Sequence, residues 1–196
     1  MTTLAVTDHT ARALLQATVL AFALSELSIR FRSGRHSDGW RVDRGSIVAV
    51  VVGVGAGVLI AVWCAAAVSG MAIPGGWLPF VTGIVVMWLG IALREWAVVV
   101  LGRFFTVVVR VTSDQEVVER GPYRFVRHPS YTGLLLTLVG LGVALGSWLS
   151  VLALTVLPTL GLVIRIRVEE EALLSALGEP YRTYAQRRRR LVPGVW

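Results

Sequence analysis

The sequence predicts an all-α fold, a polytopic membrane helix bundle, and three observations carry that prediction. Of its residues, 55% are hydrophobic and only 16% charged. The apolar residues are gathered in blocks long enough to cross a hydrocarbon layer of about 30 Å. Arginine-bearing connections alternate along the chain with connections that carry no charge. A soluble domain of 196 residues would lack the polar surface to cover so apolar a core.

About five transmembrane segments are expected, over residues 11–29, 46–68, 78–101, 132–145 and 148–164. The first carries Glu26 near its end, the second is rich in Val and Gly, and the third is interrupted by Arg94 and Glu95. Each of the last two falls short of the roughly 20 residues that a perpendicular span wants. A tight Gly146-Ser147 connection joins them, which predicts a short helical hairpin that does not fully cross or that thins the bilayer locally. Ahead of the first block stand Asp8 and His9 and no basic cluster, so that block is expected to be a retained helix and not a cleaved leader. Pro74-Gly75-Gly76 and Gly121-Pro122 are turn signals. Beyond residue 164, Leu173, Leu177 and Tyr181 recur at helical spacing. Gly178 suits the end of that helix and Pro180 the start of the next, a strongly basic C-terminal helix over residues 180–190. With no internal repeat or low-complexity linker, residues 1–196 are expected to form a single membrane domain.

All 19 basic residues are arginine, and the net charge is +7. The first connection holds Arg30, Arg32, Arg35, Arg41 and Arg44. The connection at residues 69–77 is neutral, the next holds Arg103, Arg110, Arg120, Arg124 and Arg127, and the next is neutral again. Seven arginines follow residue 164. The positive-inside rule then places the N-terminus outside and the C-terminus in the cytosol. Topology and membrane-lipid headgroups account for most of this charge. No nucleic-acid partner is expected, because no recognised binding motif accompanies it. The lone Cys64 lies in an apolar block and leaves no disulfide framework or Cys-based metal site, and no metal is expected.

Three features ask for more than topology. Residues 121–131, GPYRFVRHPSY, pack two Arg, one His, two Tyr and two Pro just before a membrane helix. The prolines restrain the chain, giving a stiff loop that presents polar side chains at the membrane boundary. Interfacial anchoring alone would account for Arg120 and Tyr123, but less well for Arg124, Arg127, His128 and Tyr131 together. The second feature is RIRVEEE at residues 165–171. Arg165 and Glu169, four apart, share a helix face where the last apolar block meets water. Glu171, and Arg187 to Arg190, fit solvated or headgroup-facing charges. The third is Arg94-Glu95, with Glu26, at membrane depth. Such groups pair across helices or face a cavity, and the sequence leaves both open.

The ordered set, "GPYRFVRHPSYTG" followed about thirty residues later by "RIRVEEEALLSALGEPYRTYAQRRRRLVPGVW", resembles the isoprenylcysteine carboxyl methyltransferase family of membrane enzymes. The shared elements are an Arg-His-Pro-x-Tyr loop, an apolar hairpin, then Arg-x3-Glu-Glu-x2-Leu-x4-Gly-x2-Tyr-x2-Tyr and a late Pro. The resemblance covers residues 101–196. It implies a cofactor-binding and catalytic half there, with N-terminal transmembrane helices over residues 1–100. It implies S-adenosylmethionine as cofactor, bound without a strand–glycine loop–helix unit, which this chain lacks. The family's cofactor contacts fall on Gln115, Glu116, Val117, Val118, Tyr123, His128, Pro129, Ser130, Tyr131 and Glu169. Its substrate-contacting arginine falls on Arg165, with Arg124 or Arg127 as a second hand on a substrate carboxylate. The implied acceptor is the carboxylate of a lipophilic substrate, either a prenylated cysteine or another isoprenoid, entering from the bilayer.

Two other enzyme classes stay open at this point. Phospholipid and other lipid-amine N-methyltransferases share the C-terminal pattern loosely, and that chemistry would use Glu169 or Glu170 as a base. Sterol-type membrane reductases carry a similar tyrosine signature and bind NADPH, but usually need more membrane segments. A non-catalytic membrane scaffold is the third alternative.

Overall fold

The computed structural model describes residues 8–34, 40–41, 45–108, 110–111, 114–194 and 196. Of the basic residues assigned to the first connection, Arg35 and Arg44 lie outside the described residues, as does the stretch before Asp8. Six α-helices make up the described structure: α1 (His9–Gly34), α2 (Ser46–Ala67), α3 (Trp77–Leu101), α4 (Pro129–Ala144), α5 (Trp148–Leu177) and α6 (Glu179–Arg187). Two-residue strands β1 (Trp40–Arg41) and β2 (Arg110–Val111) pair antiparallel beside the bundle.

Four of these helices, α1, α2, α3 and α5, are long and apolar enough to cross a membrane. Their outward faces carry exposed Leu24, Leu59, Trp63, Leu78, Leu89, Val99, Leu152 and Leu160, side chains suited to lipid and not to water. The chain is an integral membrane protein. The expected short hairpin is only half present. Helix α4 has 16 residues, about 24 Å, and is short. Helix α5 runs unbroken for 30 residues, about 45 Å. The correction has a local cause. Ser147 caps the start by accepting from the Ser150 amide at 3.4 Å. The polar stretch after residue 164 consists largely of good helix formers. Nothing stops the helix until Gly178, whose φ of 59° suits glycine. Pro158 sits inside the helix without ending it.

Close backbone approach fixes the helix pairs. A Cβ placed on Gly90 would lie 2.6 Å from the Gly133 carbonyl oxygen, and one on Gly83 2.6 Å from that of Gly140. Each pair is separated by seven residues, two turns, so α3 and α4 meet antiparallel along a stripe of small residues. Helices α2 and α5 meet likewise, Gly53 against Leu157 and Gly161 against Ala49. Leu134, Leu138, Leu154, Leu162 and Ala61 fill the buried centre where these pairs join. Helix α1 is the peripheral member. Asp8 caps it through the Ala11 amide at 2.9 Å. Its ties to α3 include two ion pairs, Glu26 with Arg94 and Arg32 with Glu95, the latter at 2.7 Å. The charges of Arg94 and Glu95 are therefore spent on pairing across helices.

The two ends of the bundle differ. At one, the neutral connections meet, with the Ile73 amide donating to the Gly146 carbonyl at 2.8 Å. At the other gather the C-terminal ends of α1 and α3, the heads of α2 and α4 and the polar part of α5, tied by Arg94 to Ser130 and Arg165 to Ser46.

Candidate functional site

The loop before α4 is held from three sides. Gly121 adopts φ 58°, and a Cβ there would fall 2.8 Å from a Val100 methyl, so the chain can press against the end of α3 only as glycine. Pro122 and Tyr123 are buried behind it, and the Tyr123 carbonyl accepts from the Tyr184 hydroxyl at 2.8 Å. Pro129 occupies the first turn of α4, where its missing N–H costs nothing. The third side is the tail after α6. The amides of Arg127 and His128 donate to the carbonyls of Arg189 and Arg190 at 2.8 and 3.0 Å. Thr132 donates to the Leu191 carbonyl at 2.8 Å.

Opposite the loop, Arg165, Glu169, Leu173 and Leu177 follow at intervals of four along one face of α5. Loop and face enclose a cavity of about 840 Å³, its open mouth included. Tyr123, Arg127, His128, Ser130 and Tyr131 line it from the loop and the head of α4. Arg165 and Glu169 line it from α5, and Gln115, Glu116, Val117 and Val118 from the segment ahead of the loop. Two expected site residues lie elsewhere. Pro129 is fully buried beneath the wall. Arg124 turns away, its guanidinium 4.6 Å from the centre of the Phe125 ring.

A chain of polar contacts runs through the wall. Arg165, only 2% exposed, donates to the Tyr131 hydroxyl at 3.2 Å, to Ser46 at 3.0 Å and to the Val107 carbonyl at 2.7 Å. The Tyr131 hydroxyl donates to Glu169 at 2.6 Å, and its ring stacks on His128. His128 lies between two carboxylates, 3.9 Å from Glu169 and 3.2 Å from Glu170. Glu170 also receives Arg127 at 2.7 Å and Arg190 at 2.8 Å. Arg127 is thereby committed to Glu170 and to the Ala185 carbonyl at 2.6 Å. The solvated role expected for Arg190 is corrected: its guanidinium also lies 5.2 Å from the Trp196 ring. Arg187 and Glu171 are exposed, as expected.

Sequence reasoning missed part of the wall. Leu101, Phe104, Phe105 and Thr106 supply an apolar side, and Tyr181 and Tyr184 supply the floor. The helical spacing of Leu173, Leu177 and Tyr181 was the available signal for the α5–α6 side. Burial holds the phenols of Tyr123, Tyr181 and Tyr184 well above their usual range, the carboxylate of Glu169 adding to this at Tyr123 and those of Glu170 and Glu169 at Tyr181. All three therefore stay protonated and can donate. Tyr184 spends its hydroxyl on Tyr123. The Tyr181 hydroxyl is buried and has no hydrogen-bond partner among the described residues.

Residues 82–175 match the model of the isoprenylcysteine carboxyl methyltransferase family. The chain is 36% identical over 113 residues to a probable protein-S-isoprenylcysteine O-methyltransferase of Oryza sativa subsp. indica, covering 57% of this chain and 59% of the relative. It is 36% identical over 107 residues to protein-S-isoprenylcysteine O-methyltransferase B of Arabidopsis thaliana, covering 54% of each. The fold is similar to the solved structure of the eukaryotic intramembrane Ras methyltransferase ICMT, with a TM-score of 0.57 and 29% identity, covering 76% of this chain and 52% of that one. The match thus spans little more than half the length of these relatives.

Proposed function

We propose, from the match of residues 82–175 to the isoprenylcysteine carboxyl methyltransferase family, that the chain is an S-adenosylmethionine-dependent O-methyltransferase of a lipophilic carboxylate, of the isoprenylcysteine class. The observation that carries this reading is the convergence of the 121–131 loop and the Arg165–Glu169 face on one cavity.

The cavity's chemistry fits the cofactor. Glu169 offers a carboxylate to a cationic or hydroxyl group. Tyr181 offers a buried hydroxyl that has no partner among the described residues. The aromatic side chains of Tyr123 and Tyr131 offer apolar surface. These residues, with His128, Ser130 and the backbone of residues 115–118, would hold S-adenosylmethionine. When bound, it supplies a methyl group already activated by its sulfonium.

Arg165 would receive the substrate carboxylate. Its anchors among the described residues include Tyr131, Ser46 and Val107, which fix the guanidinium before any ligand arrives, so little reorganisation is left for the reacting complex. A carboxylate is ionised near neutral pH and needs no base, so the residues here orient and shield and move no proton. Tyr131 ties Arg165 to Glu169 and so links the acceptor and donor sides of the cavity. Leu101, Phe104 and Phe105 give the lipid part of the substrate an apolar wall. By the positive-inside rule, the arginine-rich connections support an orientation with this end of the bundle in the cytosol and the N-terminus outside.

Titration with S-adenosylhomocysteine and with NADPH tests the cofactor assignment. Binding of the first and not the second is expected. Arg165→Ala should bind S-adenosylhomocysteine within about threefold of the unaltered protein and lose at least about 100-fold in turnover on an N-acylated S-prenylcysteine. Full turnover by this variant would remove the carboxylate role.

A further inference from the structure

Arg94 does not line the cavity, yet it grips a residue that does. From α3, 8% exposed, it sends one nitrogen to the Ser130 hydroxyl at 2.9 Å and to the Ser130 carbonyl at 3.1 Å. Its other two nitrogens meet both carboxylate oxygens of Glu26 on α1. Ser130 belongs to the first turn of α4, between His128 and Tyr131, and all three line the cavity. One turn on, Gly133 holds the α4 backbone against Arg94 itself, where a Cβ would come within 2.7 Å of the Arg94 amide nitrogen. The start of α4 is thus fixed twice against α3, by backbone contact and by a guanidinium.

We infer that Arg94 and Glu26 are positioning residues for the cofactor, setting the first turn of α4 and, through Ser130, the places of His128 and Tyr131. The inference rests on the cofactor reading of the cavity. A charge at membrane depth must be paired, and the two-pronged contact with Glu26 already meets that need. The remaining arm of the fork goes to the cavity wall, which neutralisation does not require. Arginine's planar donors serve both partners at once, and lysine's single ammonium cannot reproduce that geometry. Glu26 orients the fork. Helix α1, which places no residue in the cavity lining and lies outside the family match, thereby acts on the site. The neighbouring pair Arg32–Glu95 provides a control. It also joins α1 to α3: among the described residues Glu95 receives Arg32 at 2.7 Å and Ser25 at 2.5 Å, both on α1.

Five variants in the full chain separate positioning from stapling: Arg94→Lys, Glu26→Gln, Glu26→Arg alone, the exchange Glu26→Arg with Arg94→Glu, and the control Glu95→Gln. The readouts are the melting midpoint in detergent, S-adenosylhomocysteine affinity, and the division of the turnover defect between KM for S-adenosylmethionine and kcat. The exchange should recover most of the melting midpoint that Glu26→Arg alone loses. Its S-adenosylhomocysteine affinity should stay about tenfold weak, because a glutamate at position 94 cannot donate to the Ser130 carbonyl. Arg94→Lys should raise KM for S-adenosylmethionine about tenfold and lower kcat much less. Glu26→Gln should lie between Arg94→Lys and the unaltered protein, and Glu95→Gln should leave affinity unchanged. Recovery of both midpoint and affinity by the exchange would make the pair a staple only and overturn the inference. So would an Arg94→Lys protein with lowered midpoint and full affinity. Failure of the unaltered protein to bind S-adenosylhomocysteine is a separate outcome that would overturn the cofactor reading along with this one.

Discussion

Tyr181 and Tyr184 stand three residues apart on α6, both buried, both facing the cavity, and removing their hydroxyls should have opposite consequences. The Tyr184 hydroxyl donates to the Tyr123 carbonyl at 2.8 Å. Tyr184→Phe leaves a buried carbonyl short of a donor and should cost about 1–3 kcal/mol of stability. The Tyr181 hydroxyl has no such partner to lose among the described residues. Tyr181→Phe should leave the ligand-free protein within about 0.5 kcal/mol of the parent or make it more stable, since an unpaired buried hydroxyl is itself unfavourable. If that hydroxyl is reserved for the cofactor, S-adenosylhomocysteine affinity should fall by one net hydrogen bond. That is about 0.5–1.5 kcal/mol, or roughly 2- to 13-fold in Kd. Melting in detergent with and without S-adenosylhomocysteine, together with calorimetric titration, reads both quantities. A Tyr181→Phe protein that loses as much ligand-free stability as Tyr184→Phe, with unchanged affinity, would show that the hydroxyl is not reserved for the cofactor.

Three further outcomes are expected. Glu170→Gln should destabilise by about 3 kcal/mol or more, because it strips the carboxylate from Arg127, which is only 10% exposed at its side chain; the adjacent Glu171→Gln, exposed, should stay within about 0.5 kcal/mol in the same melting assay. Gly90→Val should cost about 1–3 kcal/mol or more by prising α3 from α4 and should weaken S-adenosylhomocysteine binding by moving Ser130. Gly55→Ala, in α2 with nothing within 4 Å of the new methyl, should be neutral or stabilising by up to about 1 kcal/mol, and melting midpoints compare the two.

Apolar blocks and glycine turns located the four described helices long enough to span and the shorter α4, because in lipid the backbone must satisfy itself within the segment. Gly178 was legible as a helix end, but the unbroken run of α5 through residue 164 was not, for a related reason. An apolar run ends where the polar environment begins, whereas a helix ends where a residue such as Gly178 stops it. On the site, local spacing was enough to place Arg165 and Glu169 on one face. It could not rank the glutamates beside them. Nothing within EEE marks Glu170 as the meeting point of Arg127, His128 and Arg190, since two of those partners come from a loop some forty residues earlier and one from a tail that folds back. The pairing of Glu26 with Arg94 was equally hidden, the two standing 68 residues apart.

The central claim is that this cavity delivers a methyl group to a lipid-borne carboxylate. It is tested most directly by incubating the purified protein with methyl-labelled S-adenosylmethionine and an N-acylated S-prenylcysteine, then treating the extracted product with base. The expected product is a labelled lipid that releases its label in base, as a methyl ester does, with no such product from Arg165→Ala. A label that survives base, or no transfer by a protein that binds S-adenosylhomocysteine, would contradict it.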